Sequence, residues 1–343
     1  MDDATDVLLR PWRAAPPVFA EGDHVGFLGA RAHPDLARLV GPRLRAVQPF
    51  APWALTLTAA GHEVQQETGD LAGLAAVLVL PDRQVDAGLG RLAEGWLALR
   101  DGGQLVVCAP AREGGKRWPQ ALAELAGHEV EVDVKARCRV AWATREGSGG
   151  DELARRWLEA AAPRRDADGR WTRPGVFSWE RVDAGTALLA ASLPPTLAGR
   201  VADAGAGHGV LSDLLLARCP EVEGVHLLEA DARALALAER TLAERHAGRV
   251  LGAHWGDATA RWPVWGLDAV VTNPPLHVGG REDPELGRAV LRRAAEALRP
   301  GGVCWLVANR HLPYEAALRE AFARVRPVTT EGGFKVLEAH VAA

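Results

Sequence analysis

The chain is nearly without lysine. Lys116, Lys135 and Lys335 are the only ones among its 40 lysine and arginine residues. Positive charge is therefore almost all arginine in an alanine-rich background, which reads first as coding bias and second as arginine-driven phosphate recognition. Excess positive charge is also missing, since 44 acidic residues leave a formal net charge of -4. A polyanionic partner cannot be inferred from that total, because phosphate binding needs local basic clusters. Cysteine is scarce. Cys108, Cys138, Cys219 and Cys304 stand far apart with no CxxC pair, and no histidines cluster at ligand spacing, so neither a disulfide framework nor a metal site is expected. Long apolar runs are absent too. Leu74 to Leu80 and Val303 to Ala308 are strand-length, far short of the roughly 20 residues of a membrane helix, and no membrane partner is expected. The start, Met1-Asp2-Asp3-Ala4, is acidic and lacks the basic and apolar regions of a secretory signal, which makes the cytoplasm the expected compartment.

The 343 residues, 48% hydrophobic and 24% charged, suit two globular domains that each bury a core. From Leu193 onward, strand runs alternate with helical-period segments, the pattern of a parallel sheet wrapped by helices. Strands are expected at Arg200 to Asp203, Val225 to Glu229, Val250 to Trp255, Leu267 to Thr272 and Val303 to Ala308. A helix from Glu285 to Leu298 should stop at Arg299-Pro300-Gly301-Gly302. Arg326 to Thr330 and Lys335 to Val341 are expected to pair as a terminal antiparallel hairpin. The N-terminal half repeats part of this grammar. Ala75 to Pro81 resembles Leu267 to Pro274, and each leads through a helix to a Gly-Gly pair, Gly102-Gly103 or Gly301-Gly302, and a further apolar strand. An internal duplication is the simplest account. The first copy has His24-Val25-Gly26-Phe27-Leu28-Gly29 and Leu80-Pro81-Asp82 where the second has its motifs, so it reads as chemically silent. The glycine-rich stretch Thr144 to Asp151 has linker character and divides a silent domain, 1–148, from a catalytic one, 149–343.

Asp203-Ala204-Gly205-Ala206-Gly207-His208-Gly209 follows a strand and opens a helix, the setting in which a glycine-rich turn binds a nucleotide-like cofactor. Glycines let the backbone approach the ligand where a Cβ would collide. Glu229 sits at the end of the second strand, where a carboxylate can accept both ribose hydroxyls. Nicotinamide enzymes share this layout, so the fourth strand must discriminate. It ends in Asn273-Pro274-Pro275-Leu276-His277. The Asn273 side-chain carbonyl and the Pro274 backbone carbonyl can each accept one hydrogen of a planar amine, while the prolines hold both acceptors rigid. Such acceptors draw the nitrogen lone pair out of conjugation and aim it at a methyl donor, so catalysis is chiefly positioning.

These residues resemble the class I methyltransferases of the RsmC type, which modify a guanine of small-subunit ribosomal RNA. The resemblance runs through Gly175-Val176-Phe177-Ser178, Asp203 to Gly209, Asn273 to His277 and Gly333-Phe334-Lys335-Val336, and extends more weakly to the N-terminal half, because that family carries a degenerate methyltransferase-like domain before the active one. It implies a doubly wound, Rossmann-like α/β fold in tandem, with S-adenosylmethionine as cofactor and ribosomal RNA or the 30S subunit as partner. The chain is expected to be a monomer. By that likeness Asp203, Gly205 and Gly207 line the cofactor site with Asn273, Glu229 binds ribose, Asp257 faces the adenine amine, and Asn273 holds the target beside Pro275, Leu276 and His277. The family has an aromatic residue after Asn-Pro-Pro where this chain has Leu276. The missing base stacking, roughly 1–3 kcal/mol, would have to come from Phe177, Trp179 or His277.

Several features also have plainer readings. His208 reads as a solvent-facing filler and most tryptophans as packing. The arginines from Arg155 to Arg173 are interleaved with acids and read as a solvated connector. Alternative functions are methylation of another planar amine (large-subunit RNA guanine, adenine N6 or a protein glutamine), a non-catalytic RNA-binding assembly factor, and a nicotinamide oxidoreductase. The first copy is left free for a structural or RNA-binding role.

Overall fold

The computed structural model describes the backbone of residues 3–275, 277–278 and 281–343, and the side chains of all of these but Asp3, His277, Val278, Arg281 and Glu282. The chain forms two compact units, Met1–Pro163 with Arg173–Gly175, and Arg164–Thr172 with Val176–Ala343. Among the described residues no helix is long and apolar enough to cross a membrane.

The first unit holds strands β1 (Val25–Leu28), β2 (Leu44–Val47), β3 (Val64–Gln65), β4 (Leu74–Val79), β5 (Leu99–Pro110), β6 (Glu131–Lys135) and β7 (Cys138–Thr144), in the sheet order β3-β2-β1-β4-β5-β7-β6. The second holds β8 (Gly199–Ala204), β9 (Val222–Glu229), β10 (Val250–Trp255), β11 (Leu267–Thr272), β12 (Leu298–Asn309), β13 (Arg324–Glu331) and β14 (Phe334–His340), in the matching order β10-β9-β8-β11-β12-β14-β13. In both sheets the first five strands run parallel and the terminal hairpin antiparallel. Both faces of the second sheet are covered, so its central strands are largely apolar, as in doubly wound folds. Along β8, Val201 packs in one layer with Val225, Val271 and Trp305, while Ala202 packs in the other with Leu228, Val270 and Leu306. The expected tandem Rossmann-like architecture and the terminal hairpin are both present.

The two sheets correspond residue by residue. Val25 of β1 pairs with Ala76 as Val201 of β8 pairs with Ala269. On the other side, Leu28 pairs with Val47 as Ala204 pairs with Leu228. The register puts Phe27 at the position of Asp203, Gln48 at that of Glu229 and Leu80 at that of Asn273. Local bonding agrees: Gly29 N donates to Val47 O at 3.0 Å, and Gly205 N to Leu228 O at 2.9 Å.

The first unit runs past the 148/149 division to Pro163. The reason is a helix, α2 (Asp151–Ala161), that follows the glycine-rich stretch and packs against α1 (Val85–Ala98). The two helices approach so closely that a Cβ on Gly90 would lie 2.4 Å from the Ala161 Cβ.

Candidate active site

The site is built at the carboxyl ends of β8, β9 and β11, where chain reversals leave backbone groups facing outward. The turn after β8 carries Gly205, Gly207 and Gly209 at φ of 76°, 55° and 88°, left-handed values at which a Cβ is strained. The three differ in what surrounds them. A Cβ on Gly209 would meet Ala238 at 3.0 Å, whereas among the described residues Gly207 faces open space and Gly205 has nothing nearer than Asn273 O and Pro275 Cδ, each 3.8 Å from its Cβ position. Gly209 thus lets the turn pack down on helix α5 (Ala232–Arg245), while Gly205 and Gly207 keep clear the space between the turn and the end of β11.

Glu229 ends β9 beside that space. Its Oε2 accepts from Gly207 N at 2.7 Å and its Oε1 from Asp231 N at 2.9 Å. Burial pushes its carboxyl above the ordinary range, opposed by those two amides. Each oxygen retains a lone pair for a further donor. Asp257, just past β10, lies nearby, for Gly256 N donates to Glu229 O at 3.0 Å. Its Oδ1 accepts from the Thr259 amide and hydroxyl. Asp203 is wholly buried beneath the turn. Ser212 Oγ, in helix α4 (Val210–Arg218), donates to its Oδ2 at 2.7 Å, and Oδ1 has no hydrogen-bond partner among the described residues. Burial foremost, with the nearby Glu229 charge, pushes its carboxyl up to about 7.

Opposite the turn, Asn273 follows β11 and Pro274 is buried behind it. The Asn273 side chain is held from helix α3 (Ala184–Ser192). Its Nδ2 donates to Asp183 Oδ2 and to Thr186 Oγ1, both at 3.0 Å. Asp183 also caps α3, accepting from Thr186 N at 2.9 Å. Neither Asp183 nor Thr186 emerged from the motif reading. The available signal was an N-cap: an aspartate just before a short apolar helix.

Phe177 is 64% exposed and borders the turn, since His208 hydrogen-bonds to its backbone. Leu276 lies outside the described residues, as does the side chain of His277.

Two plain readings are corrected. His208 is not a solvent-facing filler: it is 4% exposed, and burial lowers its pKa. Nor is Arg170 part of a solvated connector. It is 4% exposed, with Nε 2.8 Å from Asp213 Oδ2 and Nη1 2.7 Å from Asp168 Oδ2 and 3.1 Å from Asp166 Oδ2. Asp213 also receives Arg245 and His246, so this network ties the segment before the site to α4 and α5. Arg156, by contrast, is exposed and pairs with Glu152 within α2.

Residues 170–338 match the family described as methyltransferase small domain. A ribosomal RNA small subunit methyltransferase C from Hahella chejuensis is 34% identical over 244 residues, covering 71% of this chain and 70% of that protein. One from Pseudomonas aeruginosa is 34% identical over 277 residues, covering 78% of this chain and 79% of that one. Among solved structures, the Thermus thermophilus 16S rRNA N2 methyltransferase RsmC, in complex with AdoMet and guanosine, matches with a TM-score of 0.78 at 26% identity, covering 99% of this chain and 92% of that one.

Proposed function

Because the chain belongs to the ribosomal RNA small subunit methyltransferase C family, we propose that it transfers a methyl group from S-adenosylmethionine to the exocyclic N2 amine of a guanine in 16S ribosomal RNA. The observation that carries the reading is the Asn273 amide. With Nδ2 directed to Asp183 and Thr186, Oδ1 is left as an acceptor at the end of β11.

The residues fit the cofactor. A Cβ on Gly205 or Gly207 would project into the open space beside the turn, and the buried Asp203 Oδ1 lacks a donor among the described residues. Glu229 would accept the ribose hydroxyls, Asp257 the adenine amine through its remaining oxygen, and Asp203 would offer negative charge to the cofactor's ammonium group. When bound, the cofactor supplies an electrophilic methyl on a sulfonium.

The chain's own work is to hold the nucleophile. Asn273 Oδ1 and the Pro274 carbonyl accept the two amine hydrogens and direct the nitrogen lone pair toward the cofactor cradle, while the two prolines stiffen the backbone that carries both acceptors. Positive charge grows on the amine as the new bond forms, so both acceptors bind the transition state more tightly than the ground state. Pro275 and Phe177 border the space for the base. Phe177, exposed and beside the turn, is the aromatic group available for the stacking that Leu276 does not supply. The first unit, with Phe27, Gln48 and Leu80 at the positions of Asp203, Glu229 and Asn273, takes a structural or RNA-holding role. We place the protein in the cytoplasm as a monomer.

Mapping of methylated nucleosides in ribosomal RNA, from cells with and without the protein, tests the reading. One N2-methylguanosine of 16S RNA should disappear and return on complementation. Unchanged 16S RNA, with a methyl group lost from 23S RNA or from a protein glutamine, would overturn it.

A further inference from the structure

We propose that Asp183 is a positioning residue for methyl transfer, fixing the orientation of the Asn273 amide and strengthening its oxygen as an acceptor, with Thr186 as the second anchor. The inference rests on the proposed role of Asn273.

A side-chain amide can turn over, exchanging its oxygen and nitrogen, and only its hydrogen-bond partners decide between the two states. For Asn273 the partners leave no choice. An ionised carboxylate only accepts, so the atom 3.0 Å from Asp183 Oδ2 must be the amide nitrogen. Thr186 Oγ1 has its own proton directed to the same carboxylate oxygen, 3.3 Å away, and therefore accepts from Nδ2 at 3.0 Å. Both amide hydrogens are spent, and Oδ1 is held on the opposite side of the group. The reversed amide would set Oδ1 against a carboxylate oxygen.

Asp183 is itself held in place. It caps α3 through the Thr186 amide, and α3 begins against β14, where a Cβ on Gly185 would lie 3.0 Å from Phe334 Cδ1. The carboxylate is therefore part of the scaffold, and a rigid second layer makes the first precise. It also acts electrically. A negative charge behind the N–H groups polarises the amide and makes Oδ1 a stronger acceptor, and it stands two hydrogen bonds away, through the Asn273 amide, from an amine that becomes cationic in the transition state.

The test uses D183N in the full-length protein. Asparagine caps helices about as well as aspartate, so folding, followed by thermal melting, should be preserved. The substituted amide can however offer a donor, which lets Asn273 turn over, and it carries no charge. Cofactor affinity should stay within about twofold, the KM for RNA should change little, and the single-turnover rate should fall about 10- to 100-fold, as for other residues that orient a reactive group. T186V should slow the reaction in the same sense and T186S should restore it.

Asn273→Ala alone should slow turnover about 100- to 1,000-fold. Adding D183N to it should cost nothing more, because a residue acting through Asn273 has nothing left to orient. A normal rate in D183N beside a slow Asn273→Ala variant overturns this proposal and leaves the function standing. So does a full multiplicative loss in the double variant. A normal rate in Asn273→Ala overturns the acceptor mechanism and the proposal with it.

Discussion

Glu229 and Gly207 are joined by a 2.7 Å hydrogen bond between the carboxylate of one and the amide of the other. The same carboxylate accepts from Asp231 N, so one side chain clamps the glycine turn and the start of α5 together. Any ligand hydroxyls it accepts meet an oxygen pair that is already immobile, and little ordering entropy remains to be lost on binding.

Glu229→Ala should therefore weaken cofactor binding first. Hydrogen bonds to a charged group contribute about 1.5–3 kcal/mol, or roughly 10- to 100-fold in dissociation constant, whereas ribose hydroxyls are held alike in ground and transition states and the rate at saturating cofactor should change little. Calorimetry paired with single-turnover rates checks this. Unchanged affinity with a collapsed rate would contradict the assignment.

Cofactor binding should release a proton near neutral pH. Asp203, pushed up to about 7, is largely protonated below that pH in the folded protein, although an unfolded carboxyl would have ionised by about pH 4. The folded state thus binds more protons between those values, and Asp203 lowers stability as pH rises through that window. A cationic cofactor nearby favours the ionised carboxylate and lowers its pKa. Calorimetry at pH 6.5 in buffers of differing ionisation enthalpy should show a fraction of a proton released, vanishing by about pH 8.5 and absent in Asp203→Asn. Proton uptake at pH 6.5 would run against the assignment.

Acid should destabilise the second unit through a histidine pair. His226 Nδ1 lies 3.3 Å from His254 Nε2, and burial, then His254 and Arg200, push His226 down to about 4. An unfolded histidine takes up its proton near pH 6.5, so below that pH the unfolded state binds more protons and stability is lost as pH falls from about 6.5 toward 4. The loss should approach about 3 kcal/mol at most. Asp203 acts in the opposite sense over part of this window, so the informative comparison is His226→Asn against the parent. Melting temperatures from pH 7 to 4.5 should fall less steeply in the variant; parallel curves would exclude the pair as the cause.

One cofactor should bind per chain. In the first unit, Arg91 Nη1 donates to Leu80 O at 2.9 Å while Nη2 lies 2.7 Å from Asp82 Oδ2. A Cβ on Gly29, the counterpart of Gly205, would lie 2.7 Å from that guanidinium. The arginine fills the space that the second unit keeps clear, and Gln48 Nε2 donates to Ala30 O at 2.7 Å where Glu229 accepts from the turn. Titration of the full chain should give a stoichiometry near one, abolished by substitutions in the second unit. Two sites per chain would refute the filled-cradle account.

The sequence by itself determined the features whose cause is local. Strand patterning from Leu267 to Thr272, the positive-φ glycines after β8 and the rigid Asn-Pro-Pro need only neighbouring residues to be read, and the repetition of Ala75 to Pro81 in Leu267 to Pro274 announced two copies of one fold. Tertiary structure decided what depends on partners far along the chain. Asp183 reaches Asn273 across 90 positions and Arg170 reaches Asp213 across 43, and no periodicity encodes such pairings. His208 looked exposed because a glycine-rich turn is usually at the surface, yet it is buried and bonds to the backbone of Phe177, far earlier in the chain. That Gln48 replaces Glu229 likewise follows only from strand register, because hydrogen bonds between strands, and not spacing along the chain, decide which residues stand at equivalent ends of a sheet.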